Sequence, residues 1–307
     1  MKFVINISVI ASLLVAITTP ITVLADEENK KTSKAISSSI SLQELHQQAD
    51  QGSAEAQNKL GEIYDYAKGV PEDNKQAINL YSKSAEQGFS SAQYNLGDMY
   101  YYGEGVNIDF KKAMNLYKAA ADQRHPKAQF ALGVMYDFGE GVPEDDNKAV
   151  EWYRKSSEQG YFKAQYNLGE MYFFGDGVNK DNSKAVYWYR KSADQDYKKA
   201  QSVLGTMYEY GDGVKTNYKT AVKWYRKSAE QGYAKAQYYL GKMYFLGDGI
   251  NRNYKHAYMW FDVAIKNGNK DTDEKMAVLK QTMSPESIAI SKEMAKNCIA
   301  SKYQNCG

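Results

Sequence analysis

Few residues of this chain have the chemistry for catalysis or metal binding. Among 307 residues there are three histidines, His46, His125 and His256, and two cysteines, Cys298 and Cys306. Structural or catalytic zinc needs three or four clustered ligands, and a nucleophile needs a base within hydrogen-bond reach. The histidines recur at no common interval, so they cannot build a metal ladder, and neither catalytic residues, a metal nor a cofactor is expected. An even count of two cysteines favours, in a chain that is exported, a disulfide, Cys298 to Cys306, over a nucleophile. Five Gly-acid-Gly turns, from Gly103-Glu104-Gly105 to Gly247-Asp248-Gly249, superficially resemble phosphate loops. Each follows a helix and carries an acid where phosphate would be repelled, so they read as turns whose glycines permit positive φ. The Arg154-Lys155, Arg190-Lys191 and Arg226-Lys227 pairs suggest a basic stripe, but Glu158, Asp194 and Glu230 follow at helical spacing and neutralise it. The whole chain balances 39 Lys and Arg against 37 Asp and Glu, a net charge of +2 that argues against nucleic acid as partner.

The elements that carry these residues follow from a repeat. Leu60, Leu96, Leu132, Leu168, Leu204 and Leu240 stand 36 residues apart, each followed by glycine, and the column Tyr64, Tyr100, Tyr136, Tyr172, Tyr208, Tyr244 keeps the same step. Another column, Tyr81 to Tyr225, ends in Phe261, which accounts for 27 tyrosines beside only 10 phenylalanines and 4 tryptophans. Within a unit, Ala164, Leu168, Met171 and Tyr172 share one stripe of a helix A. Gly175-Asp176-Gly177 ends it, and Asp181 stands as N-cap of a helix B whose stripe runs through Ala185, Trp188, Tyr189, Ser192 and Ala193. The cap column reads Asp73, Asp109, Asp145, Asp181, Asn217, Asn253, and Trp152, Trp188, Trp224 and Trp260 on helix B read as packing residues. One helix pair buries too little to stand alone, so the units must stack. The fold class is all-α: a right-handed α-solenoid of six 36-residue helix-turn-helix repeats with N- and C-terminal capping helices. Leu42 to Gln51 repeats the helix B register as a half-unit, and Ser284-Pro285-Glu286 opens a closing helix to about Ala300.

The first residues read as an export signal: Lys2, an apolar run from Val9 to Ile17, and Val23-Leu24-Ala25 ahead of a cleavage point. Asn6, Ser8, Ser12 and Pro20 dilute the stretch below a good membrane span. The expected organisation is a signal peptide over 1–25, a flexible polar leader over 26–40, the solenoid with its half-unit over 41–268, and a closing helix with disulfide tail over 269–307. The chain is then exported, to the periplasm or beyond, and monomeric, without a membrane anchor after cleavage.

The recurring K-A-Q-x-x-L-G-x-M-Y-x-x-G-x-G-V…K-A-x-x-W-Y-R-K-S-A-E-Q-G pattern, clearest from Lys163 to Asp196 and from Lys199 to Gly232, resembles the SEL-one-like repeat family, which is related to tetratricopeptide repeats. The first unit departs with Ala67-Lys68-Gly69, and the fourth ends in Asp196 where glycine is usual. The resemblance implies an interaction scaffold, since exported bacterial members are adaptors, regulators of envelope sensors or proteins that contact host cells. It also implies an alternative, because a subgroup with C-x7-C pairs in nearly every unit is credited with β-lactam hydrolysis. Here the pair occurs once, which makes a cell-wall or β-lactam hydrolase doubtful.

By analogy with tetratricopeptide grooves, the concave face is built from helix A residues off the packing stripe. One column holds Tyr94, Tyr166 and Tyr238, beside Asn95 and Asn167, which could bond a peptide backbone. A second holds Asp65, Tyr101, Asp137, Phe173, Glu209 and Phe245. Tyr94, Asn95, Tyr101, Tyr166, Asn167, Phe173, Tyr238 and Phe245 are the expected contacts to a protein or peptide partner in the bacterial envelope, the competing reading being that several of the tyrosines pad the inter-unit core. The acids favour a basic or mixed segment.

Overall fold

The computed structural model describes residues 41–304 and Cys306; the export signal and leader lie outside the described residues. Among the described residues there are 15 helices and no strand. None of these helices is long and apolar enough to cross a membrane. The described residues divide into two compact units, parting between Lys83 and Ser84.

In the first unit α1 (Leu42–Asp50) packs on α2 (Ala54–Asp65) around Leu45, Ala49, Ala56, Leu60 and Leu80. A reciprocal capping box starts α1: Ser41 Oγ accepts from the Glu44 N–H while the Ser41 N–H donates to Glu44 Oε2. The next helix, α3 (Asn74–Glu86), carries residues of both units.

The second unit holds ten repeat helices: α4 (Ser90–Tyr102), α5 (Phe110–Asp122), α6 (Pro126–Phe138), α7 (Asp146–Glu158), α8 (Phe162–Phe174), α9 (Asn182–Ala193), α10 (Lys198–Tyr210), α11 (Tyr218–Ala229), α12 (Ala234–Leu246) and α13 (Tyr254–Lys266). Even-numbered helices are A and odd-numbered ones B. From α4 to α13 each packs on its immediate neighbours within this series, the quasi-one-dimensional stacking of an α-solenoid. Helix A buries Ala, Leu and Met at three- and four-residue spacing, as Ala164, Leu168 and Met171 do; helix B buries Ala185, Val186, Tyr189 and Ala193. Every helix A here ends on a left-handed glycine, as at Gly175 with φ 91°, whose N–H reaches the Met171 carbonyl. Every helix B of the unit from α5 to α13 begins at the expected Asp or Asn, whose side chain accepts from an N–H of the first turn. The left-handed position that follows helix B is glycine at Gly160 and Gly232, but Arg124 and Asp196 adopt it too, with φ 63° and 61°. Such a conformation costs a non-glycine residue little enough for the stack to absorb.

Two polar devices lock neighbouring repeats. A helix A glutamine donates to the carbonyl of the preceding helix B and accepts from the glutamine 30 residues on, as in Gln165 to Ser157 O (3.2 Å) and Gln195 to Gln165 (2.8 Å). Helix B serines Ser156, Ser192 and Ser228 donate across to carbonyls 30 residues earlier, each at 2.7 Å. Both satisfy groups that burial would otherwise leave unpaired.

After α13 come α14 (Asp273–Thr282) and α15 (Pro285–Ala300), the latter capped by Ser284 with proline in its first turn. α15 packs on α13, and Cys298 and Cys306 form a disulfide within the same core cluster as Trp260 and Phe261. The loop it closes brings the Tyr303 hydroxyl to Asn267 Oδ1 (2.9 Å).

The closest packing is between the helix A glycine and the helix B aromatic. A Cβ added to Gly97, Gly133, Gly169, Gly205 or Gly241 would lie 2.4–2.8 Å from a ring carbon of Tyr117, Tyr153, Tyr189, Tyr225 or Phe261. Gly205→Ala therefore gains ~1 kcal/mol of helix propensity and loses roughly 1–3 kcal/mol to overpacking against a ring with no room to move. The variant should melt below wild type by circular dichroism; an equal or higher midpoint would contradict the packing argument. Reduction, or Cys298→Ser with Cys306→Ser, should also lower the midpoint, the lost loop closure being worth about 2–3 kcal/mol.

Candidate functional site

Helix A presents a face away from its packing stripe, and the expected contact residues lie along it at unequal depth. Tyr101 is a correction: it is only 6% exposed, packed edge-on against Tyr102 and Phe110, with its hydroxyl donated to Glu140 in the turn of the next repeat. It belongs to the layer between repeats. Tyr94, Tyr166, Phe173, Tyr238 and Phe245 are half-buried, each with a ring neighbour: Tyr94 on His125, Tyr166 on Tyr189 and Tyr197, Phe173 on Phe174, Tyr238 on Phe261, Phe245 on Tyr254. Asn95 and Asn167 are half-buried too, and Asn167 bonds the Tyr153 hydroxyl.

Two further columns complete the face, one directly after the Tyr101 column and the other one turn after the Tyr94 column. The last residue of helix A is Tyr102, Phe138, Phe174, Tyr210 and Leu246 in successive repeats of the second unit, and Phe138, Phe174 and Tyr210 are 57%, 50% and 54% exposed. The first unit has exposed Tyr66 at this position. Four residues earlier stand Asp98, Val134, Glu170, Thr206 and Lys242.

The acids on the face are held by the buried tyrosines of helix B. Tyr117 donates to Asp98 at 2.6 Å, Tyr153 to Asp137 at 2.8 Å and Tyr225 to Glu209 at 2.7 Å; in the first unit Tyr81 donates to Asp65 at 3.0 Å. Glu170 accepts from Tyr166 at 2.9 Å. Burial raises Asp98 and Glu170 to about 7 and Asp137 to about 6, against which the tyrosine hydrogen bonds act only partly. The phenols of Tyr117, Tyr153 and Tyr225 are pushed well above their ordinary value, first by burial and then by the neighbouring carboxylate, so they remain donors. Glu209 is ion-paired, with Lys242 Nζ at 2.6 Å. The same ammonium is 3.1 Å from the Tyr210 hydroxyl and 5.5 Å over its ring.

The Sel1 repeat family model matches residues 54–89, 90–125, 126–161, 162–197, 198–233 and 234–269. The chain belongs to the Sel1 repeat family. As a Sel1 repeat protein it is similar to a protective antigen of uropathogenic Escherichia coli strains with an SLR fold, at 35% identity and a TM-score of 0.80 over 86% of this chain. The chain spans only 57% of that antigen's length. It is also similar to a Sel1 repeat protein from Oxalobacter formigenes, at 33% identity and a TM-score of 0.67, over 70% of this chain and 88% of that one. No curated protein matches it.

The other constellations belong to the architecture of the Sel1 stack. The glycines of the five Gly-acid-Gly turns that the left-handed geometry serves have φ between 62° and 91°. Arg154, Arg190 and Arg226 reach the hydroxyls of Tyr172, Tyr208 and Tyr244 on the next helix A. Trp224 and Trp260 are buried, and Trp152 and Trp188 pack half-buried against the repeat before their own. His125 caps α6 and is lowered to about 4 by its burial and by Lys127. Among the described residues no three His, Cys, Asp or Glu side chains are grouped to hold a metal ion.

The raised acids set a pH dependence. A carboxyl whose folded pKa exceeds its unfolded value of about 4 holds a proton that the unfolded chain has released, so its stabilisation fades as pH rises through the folded value. His125 works the other way but only up to its unfolded pKa, near 6.5. From pH 6.5 to 8, Asp98 and Glu170 dominate, and the melting midpoint should fall. Glu170→Gln keeps the acceptor for Tyr166 and should flatten that slope and raise the midpoint at pH 8; a variant as steep as wild type would refute the assignment to Glu170.

Proposed function

We propose that this chain is an exported scaffold that binds a segment of a partner protein along its helix A face, as a monomer and without chemistry of its own. Sel1 repeat proteins are generally protein-interaction scaffolds. The observation that carries the reading is the exposed end-of-helix column, in which Phe138, Phe174 and Tyr210 put apolar rings into solvent at the same place in three successive repeats. Isolated exposed apolar residues are ordinary, but an aligned series on one face is the mark of an interaction surface. Large rings beside recessed polar groups are also what supplies most binding energy at interfaces. The half-buried Tyr94, Asn95, Tyr166, Asn167, Phe173, Tyr238 and Phe245 line the floor and sides of that face. Export is supported by the signal-like first 25 residues and by the Cys298–Cys306 disulfide, which suits an oxidising compartment.

Contact with a host is a second reading, favoured by the 35%-identical relative being a protective antigen. It places the same scaffold outside the cell and would be seen as the intact chain in culture supernatant. The hydrolase alternative has nothing comparable to favour it, since the cysteine pair occurs once.

In-cell cross-linking followed by affinity capture tests the scaffold. Replacing Phe138, Phe174 and Tyr210 together by serine should reduce capture of the partner at least tenfold while the helical circular dichroism persists. Undiminished capture would move the binding surface to helix B or the tail.

A further inference from the structure

The repeats supply an internal comparison that identifies what one stretch of this face lacks. Where two successive helices A meet, the next-to-last residue of one stands 33 positions before the ninth residue of the next. Between α10 and α12 these are Glu209 and Lys242, an ion pair at 2.6 Å with both side chains largely buried. Between α6 and α8 they are Asp137 and Glu170, and the Asp137 charge helps to raise Glu170. Two features of the surroundings correspond. The helix B tyrosine donates to the acid in both places, Tyr225 to Glu209 and Tyr153 to Asp137. The end-of-helix ring that lies under the ammonium is Tyr210 in one place, and its counterpart Phe138 is 57% exposed in the other.

We propose that the Asp137–Glu170 junction receives a lysine or arginine side chain of the partner, which takes the position Lys242 holds at the Glu209 junction, with Phe138 beneath the cation. This rests on the helix A face being the partner surface and names the chemistry of that partner: a segment with a basic residue flanked by apolar ones. Charge complementarity selects the occupant. Two facing carboxylates cannot both ionise cheaply, and one cation relieves both, while the ring face adds a cation–π contact. A multivalent metal ion is a poorer match, because no third acidic, histidine or cysteine ligand joins the two among the described residues. The charged and titratable groups around the junction include Tyr153, Glu144, Asp146 and Asp176 about Asp137, and Tyr166, Tyr189, Tyr233, Lys199 and Lys235 about Glu170. Lys199 and Lys235 lower Glu170 less than burial raises it, so they do not do the work of Lys242.

The probe is a bead library of twelve-residue peptides with one fixed central residue, Lys, Arg, Glu or norleucine, between randomised positions, screened at pH 8 against the full chain. Wild type should retain the Lys and Arg sets at least tenfold above the norleucine and Glu sets. Glu170→Lys, which rebuilds the internal pair, should bring that ratio below twofold, and the uncharged Asp137→Asn with Glu170→Gln should do the same, so that a folding defect in one variant does not decide the matter. Phe138→Ser with Phe174→Ser should weaken retention of every set. Retention without preference for a basic residue, or a preference that survives both junction variants, would overturn the proposal while leaving the helix A face intact if the serine variant still loses binding. Retention indifferent to the serine variant would overturn both.

Discussion

The structure depends on how closely a helix B aromatic lies against a helix A glycine. With no side chain at Gly97, Gly133, Gly169 or Gly205, the tyrosine ring rests on the helix A backbone itself, and Tyr117, Tyr153, Tyr189 and Tyr225 are almost completely buried. That depth carries each phenol through the layer toward the far side of helix A, where a buried hydroxyl needs an acceptor. The acceptor is a carboxylate on the outward face: Asp98, Asp137 and Glu209 accept directly, and Glu170 lies close enough to Tyr189 to raise it. The last repeat has Phe261 in the ring position, with no hydroxyl to satisfy, and there helix A carries Lys242 and Phe245 instead of an acid. A packing constraint in the core thus dictates where acids appear on the outward face of helix A.

The fold was legible because repetition turns weak local signals into columns. One Leu-Gly pair says little, but six at a fixed interval, with capping Asp or Asn in step, specify two helices and their stacking. The caps, the turn glycines and the closing helix at Pro285 follow local rules of hydrogen bonding and φ that the residue types announce. Departures from pattern cost little for the same reason. Asp196 and Arg124 stand in left-handed positions with hydrogen bonds to Ala193 and Ala121 that glycine would make equally well.

The face was legible only in part. Which residues of helix A point outward depends on how the helix is rotated about its axis within the pair, and one residue of displacement is 100°. The expected column containing Tyr101 lies next to the exposed one, so Tyr101 fills the space between repeats and its neighbour Tyr102 begins the outward series. The exposed series Phe138, Phe174, Tyr210, Leu246 was visible as a column of large apolar residues directly before the turn glycine, at the helix end. The proposed role of Glu170 was less accessible, because it emerges only when two residues 33 apart are known to face each other across successive helices.

Stacking separates the two demands on this sequence. Within a repeat, the Ala, Leu, Gly, Met and Tyr columns must hold, since each contact is made against the same neighbour every time. At the junctions on the outer face the residues vary freely: Tyr101 and Val134, Asp137 and Glu170, Phe173 and Thr206, Glu209 and Lys242 occupy the same pair of places in four successive steps. Because each repeat contacts only its neighbours, a change at one junction leaves the others undisturbed. An apolar step, a doubly acidic step, a mixed step and a neutralised step in fixed order give the surface a directional character that a uniform ladder would lack.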